Sequence, residues 1–244
     1  MADEVFANER LAAVYDPLDP DRSDLDAYVA IAAGLGARRV LDIGCGTGTF
    51  ALMLAERGIE VTGVDPAVAS LDVARGKPGA GKVTWIHGDA TAAPPLRADL
   101  ATMTANVAQA IVEPGDWHAT LSAAHDALRP GGHLVFETRV PARRAWETWN
   151  KVDSYHVDDI PGVGRVETWY DLLDVSLPLV TFRGTWIFAS DGAVLTSDST
   201  LRFRERDEVE ADLAAHGYVL REIRDAPDRP GREYVFLATR PGEE

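Results

Sequence analysis

Cysteine is almost missing from this 244-residue chain, where Cys45 stands alone. One thiol excludes an internal disulfide and any metal centre built from several thiolates, and it suits a reducing compartment. Long apolar runs are missing too: no window approaches the roughly 18 consecutive apolar residues of a membrane-spanning helix. The opening Met1-Ala-Asp-Glu4 lacks the basic and apolar regions of a secretory signal, so the expected location is cytoplasmic, with no membrane partner. Basic charge is scarce beside acid, with 24 Lys and Arg against 39 Asp and Glu and a formal net charge of −15. Such a surface repels a phosphate backbone, and no nucleic acid is expected as a partner.

What is present is a 46% hydrophobic composition, enough for one sizeable core with room for a subdomain. Helical spacing around Leu11, Val14 and Tyr15, then Leu25, Tyr28, Val29 and Ile31, predicts an N-terminal helical lead-in broken by a loop from Asp16 to Asp24. From Arg39 onward short apolar strands alternate with helices: strands Val40–Ile43, Glu60–Val64, Val83–His87 and Asp99–Thr104, and helices Thr49–Arg57 and Ala67–Arg75. A helix Asp116–Leu128 ends at Arg-Pro-Gly-Gly and leads into a strand His133–Thr138. That rhythm predicts parallel pairing in a doubly wound α/β sheet. Beyond Arg143 the pattern changes to three strand-like runs, Arg165–Leu173, Leu179–Ala189 and Val194–Phe203, with Asp191-Gly192 signalling a tight hairpin. The closing helix Asp207–His216 and strands Tyr218–Arg224 and Glu233–Thr239 return to the first pattern. The division read from this is 1–142 for the helical segment and core, 143–205 for an inserted antiparallel lid, and 206–244 for the return to the core.

The most informative stretch is Val40-Leu41-Asp42-Ile43-Gly44-Cys45-Gly46-Thr47-Gly48-Thr49-Phe50, a buried strand running through a glycine turn into a helix. Glycines let the backbone turn sharply and approach a ligand closely. A second carboxylate, Asp65, ends the next strand, where an acidic residue can accept ribose hydroxyls. Gly46-Thr-Gly48-Thr-Phe-Ala51 also satisfies the loose G-x-G-x-x-A pattern of dinucleotide oxidoreductases, so spacing does not decide. Charge does: Asp42 beside the turn disfavours a pyrophosphate and favours an ammonium group.

Asp42-Ile-Gly44-Cys45-Gly46-Thr-Gly48, Gly63-Val-Asp65, His87-Gly-Asp89-Ala90 and Leu128-Arg-Pro-Gly-Gly-His-Leu resemble the ordered motifs of class I S-adenosylmethionine-dependent methyltransferases. The resemblance spans about residues 38–140, with a weaker match in the closing segment. It implies that Asp42, Gly44, Cys45, Gly46 and Gly48 hold the methionine portion of the methyl donor. Asp65 would take the ribose hydroxyls, Asp89 the adenine amino group, and the Ala90 amide a ring nitrogen. Tyr15, Pro66, Thr104 and Asn106 complete the donor-binding candidates. It also implies a seven-stranded, mostly parallel sheet whose last strand is antiparallel. An NAD(P)-dependent oxidoreductase and a noncatalytic S-adenosylmethionine-binding protein stand as alternatives.

For the methyl acceptor, the chain after the fourth strand reads Thr104-Ala-Asn106-Val-Ala-Gln109. This departs from the Asn/Asp-Pro-Pro-Tyr pattern of enzymes that methylate nucleobase or glutamine amino groups, and it carries no acidic residue of the kind that holds magnesium, so no metal is expected. A small-molecule acceptor is the expected partner. Asn106 and His156 are the catalytic candidates, the histidine because its pKa lies near neutrality. Gln109, Trp149, Tyr155, Trp186, Arg202 and Arg204 are the acceptor-binding candidates, with the two arginines on one strand face suited to an acidic group. An exposed edge of the inserted sheet could pair two copies in a homodimer.

Overall fold

The structure, a computed structural model, describes residues 2–242. Helices α1 (Glu4–Ala7), α2 (Glu9–Leu18) and α3 (Asp26–Gly34) precede β1 (Arg39–Ile43), α4 (Thr49–Glu56), β2 (Glu60–Asp65), α5 (Val68–Gly76) and β3 (Val83–His87). The chain then forms β4 (Ala98–Met103), α6 (Val107–Ala110), α7 (Pro114–Ala127) and β5 (Leu128–Arg139). After an excursion through α8 (Lys151–Ser154), β6 (His156–Ile160), β7 (Gly164–Ser176), β8 (Leu179–Phe188) and β9 (Val194–Arg202), it closes with α9 (Arg206–Ala215), β10 (Val219–Asp225) and β11 (Glu233–Thr239).

The main sheet has the order β10-β11-β5-β4-β1-β2-β3. Strands β1 to β5 pair in parallel, and β11 runs antiparallel to both β5 and β10. Parallel pairing requires crossovers, and the helices that supply them cover both faces, which is why β1 is buried almost end to end. Val40 packs among Tyr28, Phe50 and Leu54 on one face, and Leu41 and Ile43 among Trp117, Leu121 and Phe136 on the other. The strand order reverses between β1 and β4, so the loops leaving their carboxyl ends diverge and open a crevice.

The inserted residues form a separate antiparallel sheet, β6-β7-β8-β9. Sequence reading predicts three strands here; the fourth, β6, is a short edge strand whose charged His-Val-Asp-Asp-Ile run hides its alternation. Side chains alternate between faces of a strand. Val166, Trp186 and Phe188 join Leu11 and Val14 of α2 in one buried cluster, and Val180 joins Trp146 and Phe203 in another. The even-numbered row of β8 and the matching row Val166, Thr168, Tyr170 of β7 therefore face the core. The hairpin expected at Asp191-Gly192 is present, with residues 189–193 connecting β8 and β9. Helix α2 also continues through Asp16 and Pro17 to Leu18 where a loop is predicted, and this keeps Tyr15 and Asp16 on a helix.

Candidate functional site

The crevice at the reversal is floored by the glycine turn. Gly44, Gly46 and Gly48 have φ of 69°, 52° and 81°, a region that favours glycine. Gly44 and Gly48 are also closely packed: an added Cβ would lie 2.5 Å from Val107 at the first and 2.5 Å from Trp85 at the second. Gly46 is different, because nothing lies within 4 Å of an added Cβ, so the turn presents an open side there. The backbone amides of Gly44 and Cys45 both donate to the Val64 carbonyl, at 2.8 and 3.1 Å. Gly46 N donates to Asp65 Oδ2 at 2.8 Å and Gly48 N to the Cys45 carbonyl at 2.8 Å. These four amides are engaged internally and offer no row of donors to a diphosphate.

Beneath the turn, Asp42 is 1% exposed. Its Oδ1 accepts from Thr102 Oγ1 at 3.0 Å, whereas Oδ2 has no partner. Burial pushes its pKa up to about 7, against the opposing hydrogen bond from Thr102. An unpaired buried carboxylate oxygen is unfavourable until a donor arrives, and an ammonium group would serve. Asp65, at the end of β2, accepts the amides of Gly46 and Ala67 at 2.8 Å each, and burial nonetheless raises its pKa. A carboxylate has about four acceptor positions, which leaves capacity for two hydroxyls. Asp89 is exposed and caps the turn at buried Ala90, its Oδ1 accepting from Thr91 N at 2.9 Å and from Thr91 Oγ1. Exposed Pro66 follows Asp65, its carbonyl 3.2 Å from His87 Nε2. The Cys45 thiol is buried against Gly63, and burial raises its pKa, so it stays an unreactive thiol and can meet a ligand only through its backbone.

A residue missed in the sequence closes this side. Asp16 of α2 accepts from Thr47 Oγ1 at 2.7 Å and Thr49 Oγ1 at 3.3 Å, and its Oδ2 lies 2.6 Å from Lys77 Nζ. The same helix buries Leu11 and Val14 under the inserted sheet, and Arg10 forks onto Asp191 at 2.8 and 3.0 Å. Helix α2 thus fastens the inserted sheet to the glycine turn.

The other side of the crevice is the corner after β4, following buried Thr104. Ala105 and Asn106 take φ of 57° and 63°, two consecutive non-glycine residues in left-handed backbone. Each such residue costs about 1 kcal/mol or more and persists only when its surroundings hold it. Here Glu137 does so: its buried carboxyl accepts the Asn106 amide and the Tyr28 hydroxyl, and burial pushes its pKa up to about 7. Asn106 Nδ2 reaches Glu233 Oε1 at 3.4 Å, and its Oδ1 is buried without a partner. Gln109, fully buried, bridges the Arg202 carbonyl at 3.3 Å and the Arg139 amide at 3.1 Å. The Arg139 guanidinium, at the end of β5, lies 5.6 Å over Trp149. Trp149 packs at 4.6 Å on Phe182, which meets Tyr170 at 5.5 Å. Tyr170 stands on the core-facing row yet is 40% exposed, so between the two buried clusters of the inserted sheet this face is open to solvent. The opening beside Trp149, Phe182 and Tyr170 forms only the mouth of a chamber. Burial raises the Tyr170 phenol pKa and pushes that of Tyr15 up to about 12.

The remaining candidates fall elsewhere. Trp186 is a core residue, 6% exposed and packed with Phe188 and α2, so ordinary packing accounts for it. Tyr155 lies with Trp169 and Glu167 on the outer face, its hydroxyl donating to Glu167 at 2.8 Å, which takes it away from the chamber. Arg204 is 1% exposed and donates to the carbonyls of Ala108 and Ile111 at 2.7 Å each, over the Trp117 ring at 4.4 Å. Burial lowers its pKa to about 10, and its donors brace α6 instead of a ligand. Arg202 ends β9 on the row opposite to that of Leu201, 3.8 Å from Glu208. His156 begins β6 opposite Thr168 and is exposed at the rim. A separate cavity of about 590 Å³ beside Arg206, Arg221 and Arg224 lies at the β10 edge of the sheet, distant in strand order from the glycine turn.

A glycine turn over an unpaired carboxylate, set at the reversal of a seven-stranded sheet with an antiparallel last strand, defines a class I S-adenosylmethionine-dependent methyltransferase domain. Residues 40–132 match the family model described as a methyltransferase domain. The ubiquinone biosynthesis O-methyltransferase of Alkalilimnicola ehrlichii is 34% identical over 115 residues, 47% of each chain. The chain spans about half the length of the curated relatives it matches. Among solved structures, the CcbJ methyltransferase of Streptomyces caelestis superposes with a TM-score of 0.77 at 22% identity, covering 99% of this chain and 100% of that one. An amino pentose methyltransferase of Micromonospora echinaspora, solved with S-adenosylmethionine bound, superposes with a TM-score of 0.72 at 23% identity, covering 93% and 96%.

Proposed function

We propose that the protein transfers the methyl group of S-adenosylmethionine to a nitrogen or oxygen atom of a small molecule held in the chamber. The observation that carries this reading is Asp42 Oδ2, buried and unpaired beneath a turn in which the amides of Gly44, Cys45, Gly46 and Gly48 are already bonded internally. When bound, S-adenosylmethionine supplies an electrophilic methyl activated by the adjacent sulfonium. Asp42 would hold the ammonium of its methionine tail, Asp65 the ribose hydroxyls and Asp89 the adenine amino group. The corner at Asn106, fixed by Glu137, orients the acceptor, and α2 with the inserted sheet excludes water. Displacement at carbon needs alignment more than covalent chemistry from the protein.

Both acceptor atoms have support. The Micromonospora neighbour acts on an amino pentose, and the Alkalilimnicola relative is an O-methyltransferase. An amine needs only to arrive deprotonated; a hydroxyl engages a general base, and His156 is the histidine to substitute. We further propose the 143–205 segment as the acceptor-binding unit, a cytoplasmic location in line with the lone reduced Cys45, and a homodimer through an edge of the inserted sheet; among the described residues no helix is long and apolar enough to cross a membrane. Calorimetry with S-adenosylhomocysteine tests the donor site: binding that Asp65→Ala abolishes supports it, and binding of NADH instead overturns it. Release of S-adenosylhomocysteine over a panel of amines, phenols and carboxylates separates a turning-over enzyme from a noncatalytic binder.

A further inference from the structure

The arginines around the chamber are not equivalent. Arg22 is forked onto Asp24 at 3.1 and 3.2 Å, Arg204 is bonded to two carbonyls, and Arg229 is held by Glu233 at 2.8 Å and Asp228 at 3.2 Å. Arg139 has no such engagement. Its closest side-chain acceptor is Gln109 Oε1, 3.4 Å from Nη1, at the long limit of a hydrogen bond. Glu233 Oε1 stands 3.9 Å from Nε, too far to bond, and that oxygen is already taken by Arg229. A guanidinium carries five N–H donors in a planar fork. Among the described residues four of them have no acceptor within hydrogen-bond distance, although the side chain is only 21% exposed.

We propose that Arg139 anchors an anionic group, a carboxylate or a phosphate, on the methyl acceptor. This rests on the methyltransferase reading and names the substrate class for the same chamber. The position fits the role, because Arg139 follows Glu137 by two residues on β5 and donates its amide to Gln109, so it is tied to the corner that presents Asn106. An oxyanion seated on its fork would lie one side chain away from that corner. The surroundings fit as well. Trp149 flanks the guanidinium, and Phe182 and Tyr170 extend the aromatic wall, so the acceptor pairs an anionic end with a flat apolar body. Burial lowers the Arg139 pKa, and the loosely placed Glu233, 3.9 Å away, only partly opposes it. An acidic group is the ligand foreseen for Arg202 and Arg204; the fold gives Arg204 to bracing α6 and turns Arg202 toward Glu208 at 3.8 Å, whereas the fork at Arg139 stands beside the aromatic wall.

Calorimetric titration in saturating S-adenosylhomocysteine tests this with benzoate, phenylacetate and phenyl phosphate against benzamide and benzylammonium. The anions are expected to bind at least about tenfold tighter than the neutral and cationic probes, the gain of a charge-assisted fork. Preference for benzoate or phenylacetate assigns a carboxylate, and preference for phenyl phosphate assigns a phosphate. Arg139→Lys should lose about tenfold of the anion affinity and Arg139→Gln nearly all of it, with S-adenosylhomocysteine affinity unchanged in both as the check on folding. Anions that bind no better than benzamide, or an anion preference that survives Arg139→Gln, overturn the assignment. Failure of S-adenosylhomocysteine itself to bind overturns the donor reading instead.

Discussion

Asp42 sits where a carboxylate has one oxygen bonded to Thr102 and the other facing protein without a donor, an arrangement that favours the protonated form until a cation displaces the proton. The consequence is specific to charge, because asparagine keeps the shape and an acceptor but removes the anion. Asp42→Asn should weaken S-adenosylhomocysteine binding by about 1.5–3 kcal/mol, the usual worth of a charged hydrogen bond, read as the dissociation constant in calorimetry. Unchanged affinity would remove the electrostatic reason for choosing a methyl donor over a dinucleotide. Asp42 and Asp65 were readable from the chain because the strand, turn and helix around them are contiguous. Glu137 and Arg139 were not read, although Leu134-Val-Phe-Glu-Thr-Arg139 carries a signal: two charges inside a strand that must be covered on both faces need buried partners.

At the level of elements, α2 is the part whose role no local pattern announced. Its apolar spacing predicted a helix, but Asp16 acquires its meaning from Thr47, Thr49 and Lys77, which the chain brings together only on folding. Asp16→Ala should speed hydrogen exchange through α2 and weaken S-adenosylhomocysteine binding severalfold, because the turn loses the carboxylate that holds its threonines. Slow exchange in the variant would show that the apolar contacts of Leu11 and Val14 suffice. Arg204 braces a different element. Arg204→Ala leaves the carbonyls of Ala108 and Ile111 without their donors and should lower stability by about 2–4 kcal/mol, seen as a lower urea midpoint. Strand alternation was legible here, since it put Arg202 and Arg204 on one row, but Arg204 lies past the end of β9 and its direction is set by α6. Which row of the inserted sheet faces inward was not legible either: aromatics occupy both rows, and only the clusters with Leu11 and Trp146 decide that Phe182 and Tyr170 face the chamber while Tyr155 and Trp169 face out.

For the whole molecule, two of the buried carboxyls, Asp42 and Glu137, tie stability to pH most strongly. Asp42 and Glu137 titrate at about 7 in the folded chain against ordinary values of 3.8 and 4.5. Between these limits the folded chain holds more protons than the unfolded one, so the stability tied to these groups is complete below about pH 4 and is lost as pH rises through about 7. The urea midpoint of the ligand-free protein should accordingly fall between about pH 5 and pH 8 more steeply than that of the Asp42→Asn, Glu137→Gln double variant. Equal slopes would place the titration elsewhere. The doubly wound, mostly parallel sheet agrees with the expectation from strand–helix alternation, and its seven strands with an antiparallel last one agree with what the family resemblance implied. The solitary Asp42 oxygen has one more consequence, for calorimetry. If a cationic tail drives the carboxyl to ionise, complex formation near neutrality hands a fraction of a proton to the medium. The observed heat must then differ between phosphate and Tris according to each buffer's own enthalpy of ionisation, and the difference must shrink when residue 42 can no longer titrate.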